Sequence, residues 1–271
     1  MSTKKRSRLN SVYWGLLLFI IAQILILLIT SRMDPFLGDK NIYIPSQPSE
    51  TISLWPGEVT LPTGEVTEVP AHSSLGPVLI YILAATAVLG LTLSLIPLTT
   101  LRFVLRLVFA LLFGWGVFIA TVFYLPFPLS IAIAVIFGTF WLLTPLVWLH
   151  NLVLILTLAS VGAVFGRFIT PWTAMVLILI LAIYDFLAVR FRFMTWMADR
   201  LATIDALPAL IVPKNYSEWG SNLKKHVAKN LIEANPSDRK YSILGGGDIA
   251  FPCLLTASIY FAQGLVPGVI I

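Results

Sequence analysis

Long apolar blocks dominate the chain, separated by polar or proline-containing connections. A helix that crosses the hydrocarbon of a bilayer needs roughly 20 apolar residues. Seven blocks qualify, at about 12 to 31, 75 to 97, 104 to 125, 127 to 144, 147 to 165, 169 to 189 and 242 to 266. Pro126 with Pro128, Pro145 and Pro171 punctuate the tight connections, because proline is accepted at a helix start and breaks a helix interior. The pattern predicts an all-α, polytopic transmembrane helix bundle. Its first block follows Lys4, Lys5, Arg6 and Arg8 and is longer than the about 7–15 apolar residues of a signal peptide, with no A-x-A site after it. A retained transmembrane helix is expected there.

The blocks divide the chain into a six-helix part (1–189), a polar loop (190–240) and a seventh helix (241–271). A second polar segment, 33 to 74, is rich in proline, glycine and acids. Its alternation in Glu58-Val59-Thr60-Leu61 and Glu65-Val66-Thr67-Glu68, around Pro62-Thr63-Gly64, predicts a small hairpin capping the bundle. In the 190–240 loop, Trp219, Leu223, Val227 and Leu231 recur at a spacing of four beside Lys224, Lys225 and Lys229. That pattern predicts a helix lying on the membrane surface, held by apolar burial and anionic lipid.

Composition places most of the chain in lipid: 58% of residues are apolar and 11% charged, against about 25% charged in soluble domains. The pI near 9.4 does not indicate nucleic acid, because the basic residues sit between apolar runs rather than in a stripe with interleaved aromatics. They report topology instead. With the N-terminus in the cytoplasm, fifteen of the eighteen Lys and Arg fall inside and three (Arg32, Lys40 and Arg167) outside, as the positive-inside rule requires. The single cysteine, Cys253, excludes an intramolecular disulfide and a Cys-rich metal site, leaving a packing role.

Of the thirteen acidic residues, six fall in the outer segment and five in the inner loop, so only Asp185 and Asp248 lie within spans. An aspartate at mid-helix costs about 2.5–3.5 kcal/mol on insertion scales, so its retention marks a functional candidate. Asp185 stands about fifteen residues after Thr170 on the sixth span and Asp248 about seven after Tyr241 on the seventh. At about 1.5 Å of rise per residue, both carboxylates fall in the cytoplasmic third of the bilayer. Two such groups held close together share one proton, so that one is a base and the other an acid. Peptide hydrolysis by an aspartyl protease needs that pair. Gly245, Gly246 and Gly247 precede Asp248 and allow another backbone to approach, and Pro252 leaves a helix carbonyl without its donor. A glycine triplet is also an ordinary helix-packing surface.

At these residues the sequence resembles the presenilin and signal peptide peptidase family of intramembrane aspartyl proteases, in an archaeal-like form. The family's paired motifs are Tyr-Asp on one span and Gly-x-Gly-Asp on the next. Here Tyr184-Asp185 and Gly245-Gly246-Gly247-Asp248 stand on adjacent spans with a loop between them. Tyr184-Asp185-Phe186-Leu187-Ala188-Val189 resembles the presenilin stretch that leaves that span. Leu207-Pro208-Ala209-Leu210-Ile211 is similar to a loop segment that in presenilins pairs as a strand with substrate. The resemblance implies a presenilin-like bundle in which Asp185 and Asp248 are catalytic, while Tyr184, Gly245, Gly247, Pro208, Ala209 and Leu210 shape the site or hold substrate. Ala206 to Pro213 is expected to be extended and available as an edge strand. The implied partners are the bilayer and single-span transmembrane or signal-peptide-like substrates; no cofactor and no metal is called for.

The family has nine spans and a Pro-Ala-Leu motif on the ninth, whereas this chain runs about 23 residues past Asp248. Pro208-Ala209-Leu210 precedes the second aspartate and is not that motif. A truncated or shortened relative is expected, and the apolar ending Val269-Ile270-Ile271 favours truncation. Paired intramembrane carboxylates also serve in proton- or cation-coupled transporters and channels, and an inactive membrane scaffold is a third reading. His150, at a helix end, is expected to snorkel or cap rather than to ligate.

Overall fold

The computed structural model describes residues 3–39, 54–60, 66–69, 74–190, 208–223 and 240–270. Its helices are α1 (Thr3–Asp39), α2 (Leu75–Leu95), α3 (Leu98–Val122), α4 (Phe127–Leu143), α5 (Val147–Phe168), α6 (Pro171–Arg190), α7 (Gly247–Gln263) and a short α8 (Leu265–Ile270). Two antiparallel strand pairs are added: β1 (Gly57–Thr60) with β2 (Val66–Val69), and β3 (Ala209–Pro213) with β4 (Tyr241–Gly245). Among the described residues, four helices are long and apolar enough to cross a membrane, within α1, α2, α3 and α5, and α4 and α6 are shorter apolar helices. The result is the polytopic helical bundle that the apolar blocks predict.

Local chemistry sets most boundaries. Pro126 caps α4 with Pro128 in its first turn, and α6 opens on Pro171. Thr144, just before Pro145, is thrown out of helical conformation, because the proline ring disfavours the α region for the residue ahead of it. The predicted hairpin forms with Glu58 opposite Glu68; residues 61–65 lie outside the described residues.

Helices α1 and α3 begin ahead of their apolar blocks, at Thr3 and Leu98, and two further boundaries differ from expectation. α1 continues to Asp39 instead of ending near residue 31, because its last turns find partners. Asp34 pairs with Arg167 at 3.4 Å, and Phe36 packs edge-on against Phe123 with centroids 5.3 Å apart. The seventh apolar block is not one helix: Tyr241–Gly245 is a strand, and α7 starts at Gly247.

α5 is the axis of the bundle. Of its apolar stretch, 67% is buried, against 22% or less for those of α1, α2 and α3. It packs on α1, α3 and α7, and small residues let the backbones approach. A Cβ on Gly162 would come within 2.9 Å of Cys253 Cβ, and one on Gly166 within 2.5 Å of Ala257 Cβ. Ser160 Oγ donates to Gly116 O on α3 at 2.7 Å. Between α1 and α7, Thr256 Oγ1 donates to Gln23 Oε1 at 3.0 Å. Cys253 is buried at this contact, in keeping with a packing role.

The C-terminal ends of α1, α3, α5 and α7 share one level. Tyr124 Oη donates to Leu28 O at 2.7 Å, and the Arg167 guanidinium lies 5.0 Å from the Phe261 ring centroid. The other end carries β3, β4 and the 3-10 turn Tyr216–Gly220. There Trp219 meets Trp14 of α1 edge-on at 5.2 Å, and Leu223 is buried among Val147, Ile211 and Tyr241. The expected surface helix is therefore corrected at its first two positions, which tuck under the bundle instead of facing lipid; Val227 and Leu231 lie outside the described residues.

Candidate active site

Asp248 is the second residue of α7 and is exposed. A helix N-terminus carries partial positive charge and unpaired N–H groups, which favour a carboxylate there. The side chain folds back over the glycine run, so that a Cβ on Gly245 would lie 3.2 Å from Asp248 Oδ2. Pro252, inside α7, removes the amide hydrogen that would have bonded the Asp248 carbonyl.

The three glycines differ in what surrounds them. A Cβ on Gly246 would come within 2.6 Å of Pro208 O, whereas one on Gly247 would meet only the Phe251 ring at 3.3 Å. The Gly246 amide donates to that same Pro208 oxygen at 3.1 Å. Close backbone approach, not a left-handed turn, accounts for glycine here, since Gly246 has φ −60° and ψ −32°.

Pro208 leads into β3, which pairs with β4 in the register Ala209↔Gly245, Leu210↔Leu244 and Ile211↔Ile243. The loop segment predicted to be extended is so over Ala209–Pro213; Ala206 and Leu207 lie outside the described residues. Its availability as an edge is corrected. All five β3 residues are buried, and the side away from β4 is covered by α5, where Asn151 Nδ2 donates to Ile211 O at 2.7 Å. The uncovered edge among the described residues belongs to β4, where Ile243 is 47% exposed. His150 is also corrected: it is buried and bonds Trp141 and Ala209 instead of snorkelling.

Asp185 lies on the last turns of α6, half-buried. α6 packs against α7 through Ala174, Leu177 and Leu181 on one side and Leu254 and Leu255 on the other. That contact brings Asp185 within electrostatic reach of Asp248. Among the described residues, neither carboxylate has a hydrogen-bond or ion-pair partner. Tyr184 lines an open-sided cavity of about 580 Å³ between α6 and α2, together with Leu83, Thr86, Gly90 and Ser94.

The structure thus gathers Asp185, Asp248, Gly245, Gly247, Pro208, Ala209 and Leu210 at one end of α6 and α7, and sets Tyr184 on the cavity toward α2. Gly246, expected with its two neighbours to allow close backbone approach but not counted among the site residues, makes that approach to Pro208; sequence reasoning passed over Asn151. The only signal for Asn151 was a carboxamide inside an apolar block.

A helical membrane protein with an acidic residue on each of two adjacent packed helices falls among few classes. The family model described as signal-peptide peptidase, presenilin aspartyl protease matches residues 73–270. The chain belongs to this family of aspartic intramembrane proteases and is an integral membrane protein. Comparison with curated proteins and with solved structures gives no match.

Proposed function

We propose that the chain is an intramembrane aspartyl endopeptidase with Asp185 and Asp248 as its catalytic pair. The observation that carries the reading is an aspartate on each of the packed helices α6 and α7, within electrostatic reach of each other, in a chain of this family. Such a pair acts with one member ionised and the other protonated. The ionised member takes a proton from water as the water oxygen bonds the scissile carbonyl carbon; the protonated member gives its proton to the carbonyl oxygen. Collapse of the resulting gem-diol breaks the C–N bond, and the proton taken from water passes to the departing amine.

The substrates are single-span or signal-peptide-like helices. Inside lipid their carbonyls are bonded within the helix, so a stretch must unwind before it is cut. The β4 edge offers such a stretch main-chain partners irrespective of its side chains, and the cavity at Tyr184 offers an apolar approach between α2 and α6. The fifteen-to-three charge distribution supports a cytoplasmic position for the strand-bearing end.

The test is cleavage of a single-span peptide by the purified protein, wild type against Asp185→Asn and Asp248→Asn. Each substitution should abolish cleavage, and the double variant should be no worse than either single one, as for groups acting as a unit. A transporter with one essential relay carboxylate would tolerate one change and not the other. Undiminished cutting with Asn at either position would overturn the assignment.

A further inference from the structure

β3 has one edge on β4 and the other on α5. In an antiparallel pair the bonded positions alternate. Gly246 N–H reaches Pro208 O and Lys214 N–H reaches Lys240 O, which turns Leu210 and Val212 toward β4 and Ala209 and Ile211 toward α5. On that side, side chains take the place of a third strand. Asn151 Oδ1 accepts from Ile211 N–H at 2.9 Å, and its Nδ2 donates to Ile211 O at 2.7 Å. These are the two bonds that a residue of a neighbouring antiparallel strand would exchange with Ile211.

One position earlier on α5, His150 Nε2 lies 3.0 Å from Ala209 O, and its Nδ1 accepts from Trp141 Nε1–H at 3.2 Å. An acceptor on one side and a donor on the other fix the neutral ring with its hydrogen on Nε2. Trp141, His150 and Asn151 are each 2% exposed or less. The next position facing α5 is Pro213, which has no N–H to satisfy. A one-residue slip of β3 would strand the buried amide of Asn151 and the backbone of Ile211 together, so the clamp also fixes register.

We propose that Asn151, set beside His150, is a positioning residue for the cleavage reaction, an inference that rests on the protease reading above. It closes the α5 edge of the sheet, so that an extended substrate segment adds only to β4. By holding β3 it also holds the Pro208 carbonyl, which fixes Gly246 and thus the first turn of α7 that carries Asp248. An edge left open would template pairing on the wrong side, away from the carboxylates.

Two variants of the full chain test this, Asn151→Leu and Asn151→Asp, each read by hydrogen–deuterium exchange and by kcat, KM and cut positions on a single-span peptide. In Asn151→Leu, exchange across 208–213 and 241–247 should rise while α3 and α5 stay protected. Its kcat should fall roughly a hundredfold, as for a small displacement of a catalytic group, with KM little changed and the cut positions spread. In Asn151→Asp, a protonated carboxyl reproduces both the donor and the acceptor of the amide, whereas an ionised one repels Ile211 O. The ratio of its kcat to wild type should therefore climb toward one as pH falls, and taking the ratio cancels the titration of His150, Tyr241 and the aspartates that both proteins share.

Unchanged exchange at β3 in Asn151→Leu overturns the clamp. Raised exchange with wild-type kcat and cut positions, or a pH-independent Asn151→Asp ratio, overturns the positioning role. Should Asn151→Leu fail to fold, the Asn151→Asp ratio decides. A wild-type protein that cuts no peptide overturns the protease reading and the positioning role with it, while exchange alone still decides whether Asn151 holds the strand.

Discussion

Gly246 and Pro208 are joined backbone to backbone, amide to carbonyl at 3.1 Å, with 2.6 Å between the carbonyl oxygen and the place a Gly246 Cβ would occupy. The helical dihedrals of Gly246 would favour alanine, so this contact alone opposes it. Gly246→Ala should therefore destabilise the protein by about 1–3 kcal/mol, the usual range for overpacking. Gly245→Ala, whose Cβ meets only the end of the Asp248 side chain at 3.2 Å, should lose activity with a smaller loss of stability. Thermal unfolding beside peptide cleavage separates the two; equal stability of Gly246→Ala and wild type would refute the contact.

The seat of α7 on α5 makes a second prediction. Gly166→Ala places its Cβ 2.5 Å from Ala257 Cβ and 2.9 Å from the Ser258 amide nitrogen. It should cost about 1–3 kcal/mol. Adding Ala257→Gly should recover part of that loss, because contacting positions are not additive. Purely additive unfolding free energies would contradict the arrangement.

Acid and alkali should each loosen the strand-bearing end. The Tyr241 hydroxyl donates to Glu218 Oε2 at 2.7 Å, with Ser221 at 2.9 Å and Lys240 at 3.2 Å on the same carboxylate. The Tyr241 bond is the main reason Glu218 titrates below its ordinary 4.5, so its stabilisation is present above that pH and lost as pH falls through the lowered value. Burial pushes Tyr241 from 10.0 up to about 12; its contribution is full below pH 10 and lost as pH rises through 12. Trp219 fluorescence, taken as the difference from Trp219→Phe, should report both limbs. Tyr241→Phe should erase the alkaline limb and move the acid limb to higher pH.

Between α1 and α7, Thr256→Val keeps the shape and removes the hydroxyl that Gln23 Oε1 accepts. Interhelical hydrogen bonds in membranes are worth about 0.6–2 kcal/mol, and Thr256→Val should cost that much. Paired with Gln23→Leu in a double-mutant cycle of unfolding free energies, the coupling should be of the same size. A coupling of zero would mean that the two side chains do not bond.

Features governed by neighbours in sequence were legible. Apolar block length and the prolines at 126, 128, 145 and 171 placed α4, α5 and α6 within a few residues. Features governed by distant partners were not. Met33 to Asp39 reads as loop until Arg167 and Phe123 supply partners for Asp34 and Phe36. Tyr241 to Gly245 suits a strand as well as a helix, and only pairing with β3 decides. The two aspartates stood out because charge is rare in apolar blocks. Asn151 did not, because its role depends on a strand 60 residues away.

The packing of α7 between α1 and α5 also sets an order of assembly. Ser11 and Ser242, joined at 2.8 Å, are 231 residues apart in the chain, so this contact forms only after the helices from α2 to α6 have been synthesised. Until α7 arrives, the glycine face of α5 at Gly162 and Gly166 has no occupant, and Asp185 sits in the bilayer without its counterpart. Docking of α7 brings in Asp248 and the strand beside it in one event.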